Sequence, residues 1–279
     1  MKKAERIFAK TVLTIVSVSL CFLRLFQLLK YTDRQTGFVN SAEYITYIIY
    51  ALLFAGVIFC IFFSVRIKKR RVQIGLADNK SIYVSSVLLS GTYFFDFLHQ
   101  CFNCYKCFED NGATRLSHII FYLLTAACAV LCCFYFSAVS MTAKRMNFDF
   151  TRLAVFNFLP IIWAFLKLVL ILNEILDIKR SVQSVCEFLF LIAFICFDFC
   201  FIAAAEKKNF ELTGAMCFFS MTAFMTCVTL SVPRIIALLI GKGDMIDKVG
   251  YTAVTYLMAG IFALVLVTAN KNDNIEKRV

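Results

Sequence analysis

Proline and glycine are scarce: the chain has two Pro and ten Gly in 279 residues. That is too few turn-formers for short strands joined by tight hairpins, and it leaves long helices uninterrupted. Histidine is nearly missing, with two residues, and there is one Trp. No H-E-x-x-H pair, phosphate-cradling glycine loop, G-x-S-x-G elbow or intramembrane carboxylate dyad occurs. The last apolar run holds no Lys for a retinal Schiff base. The expectation is therefore a protein that is not an enzyme and has no resident metal or cofactor. Long connections are missing too: none exceeds about 15 residues, which leaves no room for a soluble domain. Residues 1–279 read as one membrane domain.

What the chain has in excess is hydrocarbon. It is 61% hydrophobic, with a mean hydropathy of +0.79 and 32 Phe, whereas a soluble domain is about half apolar. A bilayer core of ~30 Å needs about 20 helical residues, and eight stretches qualify. They run from Thr11 to Leu29, Tyr44 to Val65, Ser81 to Phe102, His118 to Ser140, Leu153 to Leu172, Val185 to Ala205, Gly214 to Ile240 and Gly250 to Ala269. The fold class is all-α: a membrane bundle of eight transmembrane helices. The third run is the doubtful one, because it holds Asp96 and His99. The N-terminal stretch resembles a signal sequence, but its apolar run continues to Leu29 without a small-x-small cleavage site, so it reads as an uncleaved first span.

The formal charge of +11 does not point to nucleic acid, because the cations sit in short loops between apolar runs. Of the 29 Lys and Arg, eighteen fall on the side shared by both termini, eight on the other, and three inside spans. That bias puts both termini in the cytoplasm of a bacterial plasma membrane. The run Val65 to Arg71 suits anionic lipid headgroups, or serves only as a topology signal. Most of the 13 Cys lie inside apolar runs, where they act as small hydrophobes.

Ionisable groups inside spans are costly and mark candidate sites. Here they are Arg24, Asp96, His99, Lys167, Glu187, Asp198 and Arg234. All but Asp198 fall in the outer leaflet on the eight-span reading. Arg24 and Gln27, like Asp96 and His99, are spaced i, i+3 and share a helix face. Pro233 removes one helical hydrogen bond beside Arg234 and is expected to kink its helix. Three cations against two carboxylates leave a positive surplus, as in a vestibule that takes an anion. The candidate ligand-binding residues are Arg24, Gln27, Asp96, His99, Lys167, Glu187 and Arg234. The alternative is that the three cations snorkel to the outer headgroups. The leading functional expectation is binding or transport of a small anionic solute or lipid headgroup. The competing one is a non-catalytic membrane scaffold or sensor subunit; the expected partners are membrane lipids and a small anionic ligand, with no nucleic acid. Two further features stay open. CFNCYKC (Cys101, Cys104, Cys107) has spacing that suits a metal site with His99 or His118, a disulfide, or nothing. Asp198 reads either as a proton-coupling residue or as a neutral acid hydrogen-bonded to a neighbouring helix.

Phe165 to Leu168, FLKL, repeats Phe22 to Leu25, FLRL. A parallel 4+4 duplication, with halves 1–145 and 146–279, would produce this, and so would chance. Arg24, Leu25 and Gln27, then Asp33, Thr36, Gly37 and Phe38, then Pro233 and Arg234 form a pattern R-L-x-Q, D-x-x-T-G-F, P-R. It resembles a pattern in uncharacterised bacterial multi-pass membrane proteins of similar length. The resemblance implies a shared topology and carries no activity.

Overall fold

A computed structural model describes residues 3–31, 43–68, 72–73, 79–109, 115–144, 156–175, 181–205, 211–241 and 250–268. Eight α-helices make up nearly all of it: α1 Lys3–Tyr31, α2 Glu43–Lys68, α3 Lys80–Glu109, α4 Arg115–Ala143, α5 Leu159–Ile175, α6 Ser181–Ala205, α7 Gly214–Leu239 and α8 Gly250–Thr268. Two two-residue strands, β1 Val72–Gln73 and β2 Glu211–Leu212, pair antiparallel. Asp33, Thr36, Gly37 and Phe38, residues 69–71 and Leu153 lie outside the described residues.

Helix ends follow local chemistry. The Asn79 side chain accepts from the amides of Ser81 (3.1 Å) and Ile82 (3.3 Å) at the start of α3. Thr213 does the same for α7 through the Met216 amide, at 3.1 Å. Gly241, with φ +77°, takes the left-handed conformation just after the α7 C-cap Ile240. Pro233 lies inside α7, which continues through it.

Six helices are long and apolar enough to cross a membrane: α1, α2, α3, α4, α6 and α7. The short ones are α5, with 17 residues, and α8, with 19. The span doubted on sequence, α3, is a 30-residue helix. Large side chains such as Phe22, Phe62 and Phe134 stand about two-thirds exposed on the outside. That surface fits lipid and would be a liability in water.

Six helices close a ring in the order α3, α4, α5, α6, α7, α8 and back to α3. The pair α1 and α2 packs on the outside of α7, which therefore touches α1, α2, α6 and α8. A 4+4 repeat would give α3 the equivalent neighbours, but α3 packs mainly on α4 and α8. Small residues permit the closest approaches. A Cβ at Gly260 of α8 would overlap the Cys227 sulfur of α7, and one at Gly56 of α2 would overlap the Met225 sulfur. Hydroxyls cross-link the ring: Ser90 donates to the Cys133 carbonyl (2.8 Å), Ser220 to that of Ala263 (2.9 Å) and Thr255 to that of Thr92 (3.1 Å).

Aromatic rings fill the interior. Tyr93 stacks on Phe136 (5.4 Å) and meets the edge of Trp163 (4.8 Å). Tyr256 lies 6.0 Å from Trp163 and 5.0 Å from Phe190. Down α6, Phe190, Phe194, Phe197 and Phe201 stack in succession.

Candidate functional site

The buried charges gather where α1, α3, α5 and α7 run toward their C-termini and α6 and α8 begin. They form two groups joined by a tyrosine.

The first group is centred on Asp96 of α3, which is fully buried. Its Oδ1 accepts from Lys167 Nζ of α5 at 2.9 Å and from Gln100 Nε2 at 3.1 Å. Its Oδ2 accepts from Trp163 Nε1 at 2.9 Å. Trp163 and Lys167 are four residues apart on α5 and so share a face. The ammonium also lies 5.7 Å from the Trp163 ring centre. This is a charge-balanced pair with its acceptor atoms occupied.

The second group is centred on Arg234 of α7, at 1% exposure. Its Nη2 is 3.5 Å from Glu187 Oε2 of α6, a long contact. Its Nε and Nη1 have no hydrogen-bond partner among the described residues. Arg24 of α1, a helix packed on α7, lies within electrostatic range of Arg234, and both lie within range of Cys186. Arg24 Nη1 donates to Gln27 Oε1, and Gln27 Nε2 donates to Thr46 Oγ1 of α2 at 2.8 Å. No carboxylate pairs with Arg24 among the described residues.

Tyr256 of α8 connects the groups. Its side chain lies near Glu187 and within electrostatic range of Asp96. The whole array holds three cations and two carboxylates on five helices, so one positive charge is in excess.

Arg24, Lys167 and Arg234 are 6%, 5% and 1% exposed. Their side chains thus point into the bundle, which leaves no snorkelling to a headgroup layer. Lys167 and Arg234 belong to different groups, so the three cations do not meet at one point. Gln27 joins Arg24 as its i, i+3 spacing predicts. Asp96 finds its helical partner one residue further on, at Gln100. His99 is half-buried and lies 3.4 Å from Asn103 Nδ2.

Trp163, Gln100, Tyr256 and Thr46 were not singled out on sequence. Two had a signal: Trp163 stands four residues before Lys167, and Gln100 four after Asp96. The CFNCYKC cysteines lie in the last turns of α3, with Cys104 buried and no cysteine in a disulfide. Among the described residues no group of three or more His, Cys, Asp or Glu converges as a metal site would require.

No family model, curated protein or solved structure matches the chain. Its function has to be argued from these side chains.

Proposed function

We propose that this is an eight-span membrane protein that binds a small anion, a carboxylate or phosphate carried by a solute or a lipid headgroup, between Arg24 and Arg234. The observation that carries the reading is the Arg234 guanidinium, which is buried, has two nitrogens without acceptors among the described residues and lies within electrostatic range of a second buried arginine. A buried donor without an acceptor costs about 1–3 kcal/mol, more when charged. Nε and Nη1 open on different edges of the guanidinium, so an anion could be taken at either edge, in a fork shared with Nη2. Glu187 and Tyr256 tune the charge on one side, and Gln27 and Thr46 fix Arg24 on the other.

The antiparallel ladder supports the span count. It holds the start of α3 and the end of α6 at one level, so an even number of crossings lies between them. With α3, α4 and α6 crossing, α5 makes the fourth. The bias of Lys and Arg then sets both termini in the cytoplasm and the arginine pair toward the outside, and the resemblance to bacterial multi-pass proteins fits that orientation.

The competing reading is a scaffold or sensor subunit that uses these charges only to hold helices. It accounts well for Asp96 and Lys167, which satisfy each other. It does not account for the two Arg234 nitrogens left without an acceptor among the described residues. Native mass spectrometry of the purified protein, with thermal melts in inorganic phosphate and in succinate, distinguishes the two. Binding predicts a retained anionic lipid or metabolite, or a melt raised by one of the two anions and lost in Arg234→Lys. No retained ligand and no shift with either anion would refute it.

A further inference from the structure

A row of sulfur atoms runs along the first half of α7. Cys217, Met221 and Met225 follow one another at four-residue steps, which sets them on one face of the helix. All three are buried, as is Cys60 of α2. The Cys217 thiol donates to Met221 Sδ at 3.7 Å. Two sulfurs bound to one ion through bonds of about 2.3 Å, the zinc–sulfur length, stand about 3.8–4.0 Å apart at tetrahedral to trigonal angles. The pair therefore has nearly the spacing of two ligands on one soft ion. Cys217 precedes Arg234 by seventeen residues, about 26 Å along the axis, so the row begins far from the arginine pair.

Gly56 lets α2 close onto this row. Met225 Sδ occupies the place a Gly56 Cβ would take, and Val16 of α1 lies against the same point. α2 runs antiparallel to α1, since Gln27 meets Thr46 and Val16 meets Gly56. α7 runs the same way as α1, each carrying its buried arginine toward the charged end. One turn beyond Gly56 on α2 is Cys60, and the matching level of α7, one turn back from Met225, is Met221. This register sets the Cys60 thiol against the Cys217–Met221 pair. In keeping with it, Cys60 lies near Thr222 and within electrostatic range of Cys217. Thr222 Oγ1 is buried and has no hydrogen-bond partner among the described residues. A neutral thiol is a weak acceptor for it.

We propose that Cys60, Cys217 and Met221 bind a soft monovalent cation, Cu(I), in the bundle interior between α2 and α7. Thiolate and thioether ligands select such an ion, while carboxylate- and water-preferring cations find nothing here to hold them. The two cysteine S–H bonds break as two S–Cu bonds form, and both protons leave to water. Met221 Sδ adds a lone pair and completes a three-coordinate shell. Copper stays Cu(I) throughout, and no electron changes hands. The product carries one negative charge spread over two sulfurs, and the Thr222 hydroxyl finds in it the acceptor it otherwise lacks. Met225, one turn further along the row, covers the ion on the side of the charged groups.

The test is anaerobic titration of the purified full chain with Cu(I) against bathocuproine disulfonate, a chelator that reports the free ion by colour. The expected result is one equivalent that survives the competition, with an X-ray absorption shell of sulfur alone. Cys60→Ala should abolish that equivalent. Met221→Leu keeps the volume and every thiol, and should weaken it by about tenfold or more, since even an outer-shell partner is worth 10–100-fold in affinity. Thr222→Val should weaken it by about tenfold for that outer-shell reason. Replacing Cys101, Cys104 and Cys107 together by Ser should leave it in place. Four results would overturn the site: no surviving equivalent, a shell containing nitrogen or oxygen, unchanged affinity in Met221→Leu or in Cys60→Ala, or loss on removing the three α3 cysteines. If Cys60→Ala does not fold, Met221→Leu and the absorption shell decide. Anion binding is read separately by the phosphate and succinate melts, so either conclusion can fail while the other stands.

Discussion

Replacing Lys167 by Met tests whether Asp96 is held as the structure shows. Lys167 Nζ lies 2.9 Å from Asp96 Oδ1, and both side chains are buried. Removing one partner of a buried pair costs about 3–5 kcal/mol, because the other charge is left without compensation. Here the carboxylate keeps Trp163 and Gln100 as donors, and a hydrogen bond to a charged group is worth about 1.5–3 kcal/mol. The loss should therefore sit near the low end, about 3 kcal/mol. At about 2 °C per kcal/mol or more, the melting temperature falls by roughly 6 °C. Adding Asp96→Asn removes the stranded charge while keeping an amide oxygen for the indole N–H. The double variant should recover to within about 1 kcal/mol of the parent, since replacing a whole buried pair is often neutral. Trp163 is the single tryptophan, so its fluorescence reports unfolding from within the site itself. Equal melts for Lys167→Met and the double variant would show that the two residues are not coupled, and the described geometry would be wrong.

Two further expectations concern the scaffold. Gln73 and Glu211 are Cα partners in the ladder, so Gln73→Cys with Glu211→Cys, in a chain stripped of its native cysteines, should oxidise to an intramolecular crosslink and label from one side of the membrane only. Labelling from opposite sides would break the even count of crossings. Gly260→Ala forces its new methyl onto the Cys227 sulfur and should cost about 1–3 kcal/mol by overpacking. Most of that should return with Cys227→Ala, and an unchanged melt for Gly260→Ala alone would mean that α7 and α8 are not so close.

The helices were legible in the sequence because a run of some twenty apolar residues has few other fates in lipid. Averaged hydropathy is blind to pairing, which is why Asp96 made α3 look doubtful while α8, free of any charged residue, looked complete. In the folded chain Asp96 is matched by Lys167, and the helix around it runs to 30 residues. Arg24, Lys167 and Arg234 were visible as cations in apolar surroundings, and burial follows from that cost once partners exist. Which carboxylate each would meet was not visible. Asp96 and Lys167 are 71 positions apart, and Glu187 and Arg234 are 47, so pairing depends on which helices face each other across the ring. Tyr256 carries no charge and left no trace in any pattern. Its place between Glu187 and Asp96 comes entirely from how α8 fits between α3 and α7.

The two charged groups differ in what they can explain by themselves. Asp96 with Lys167, Trp163 and Gln100 draws α3 and α5 together across the ring, and every contact in it is attractive. An apolar set of similar volume would hold the same helices as well or better, so it needs no ligand to exist. Arg24 and Arg234 are the reverse case. Their like charges repel, by an amount that falls as the distance and the effective dielectric between them grow. Glu187 touches only Arg234 and shares itself with Tyr256. The contacts that keep α1 and α2 on α7, such as Met225 against Gly56, act against that repulsion. An anion between the guanidinium groups would offset that repulsion and occupy the open nitrogens of Arg234. Helix packing by itself leaves two Arg234 nitrogens without an acceptor among the described residues.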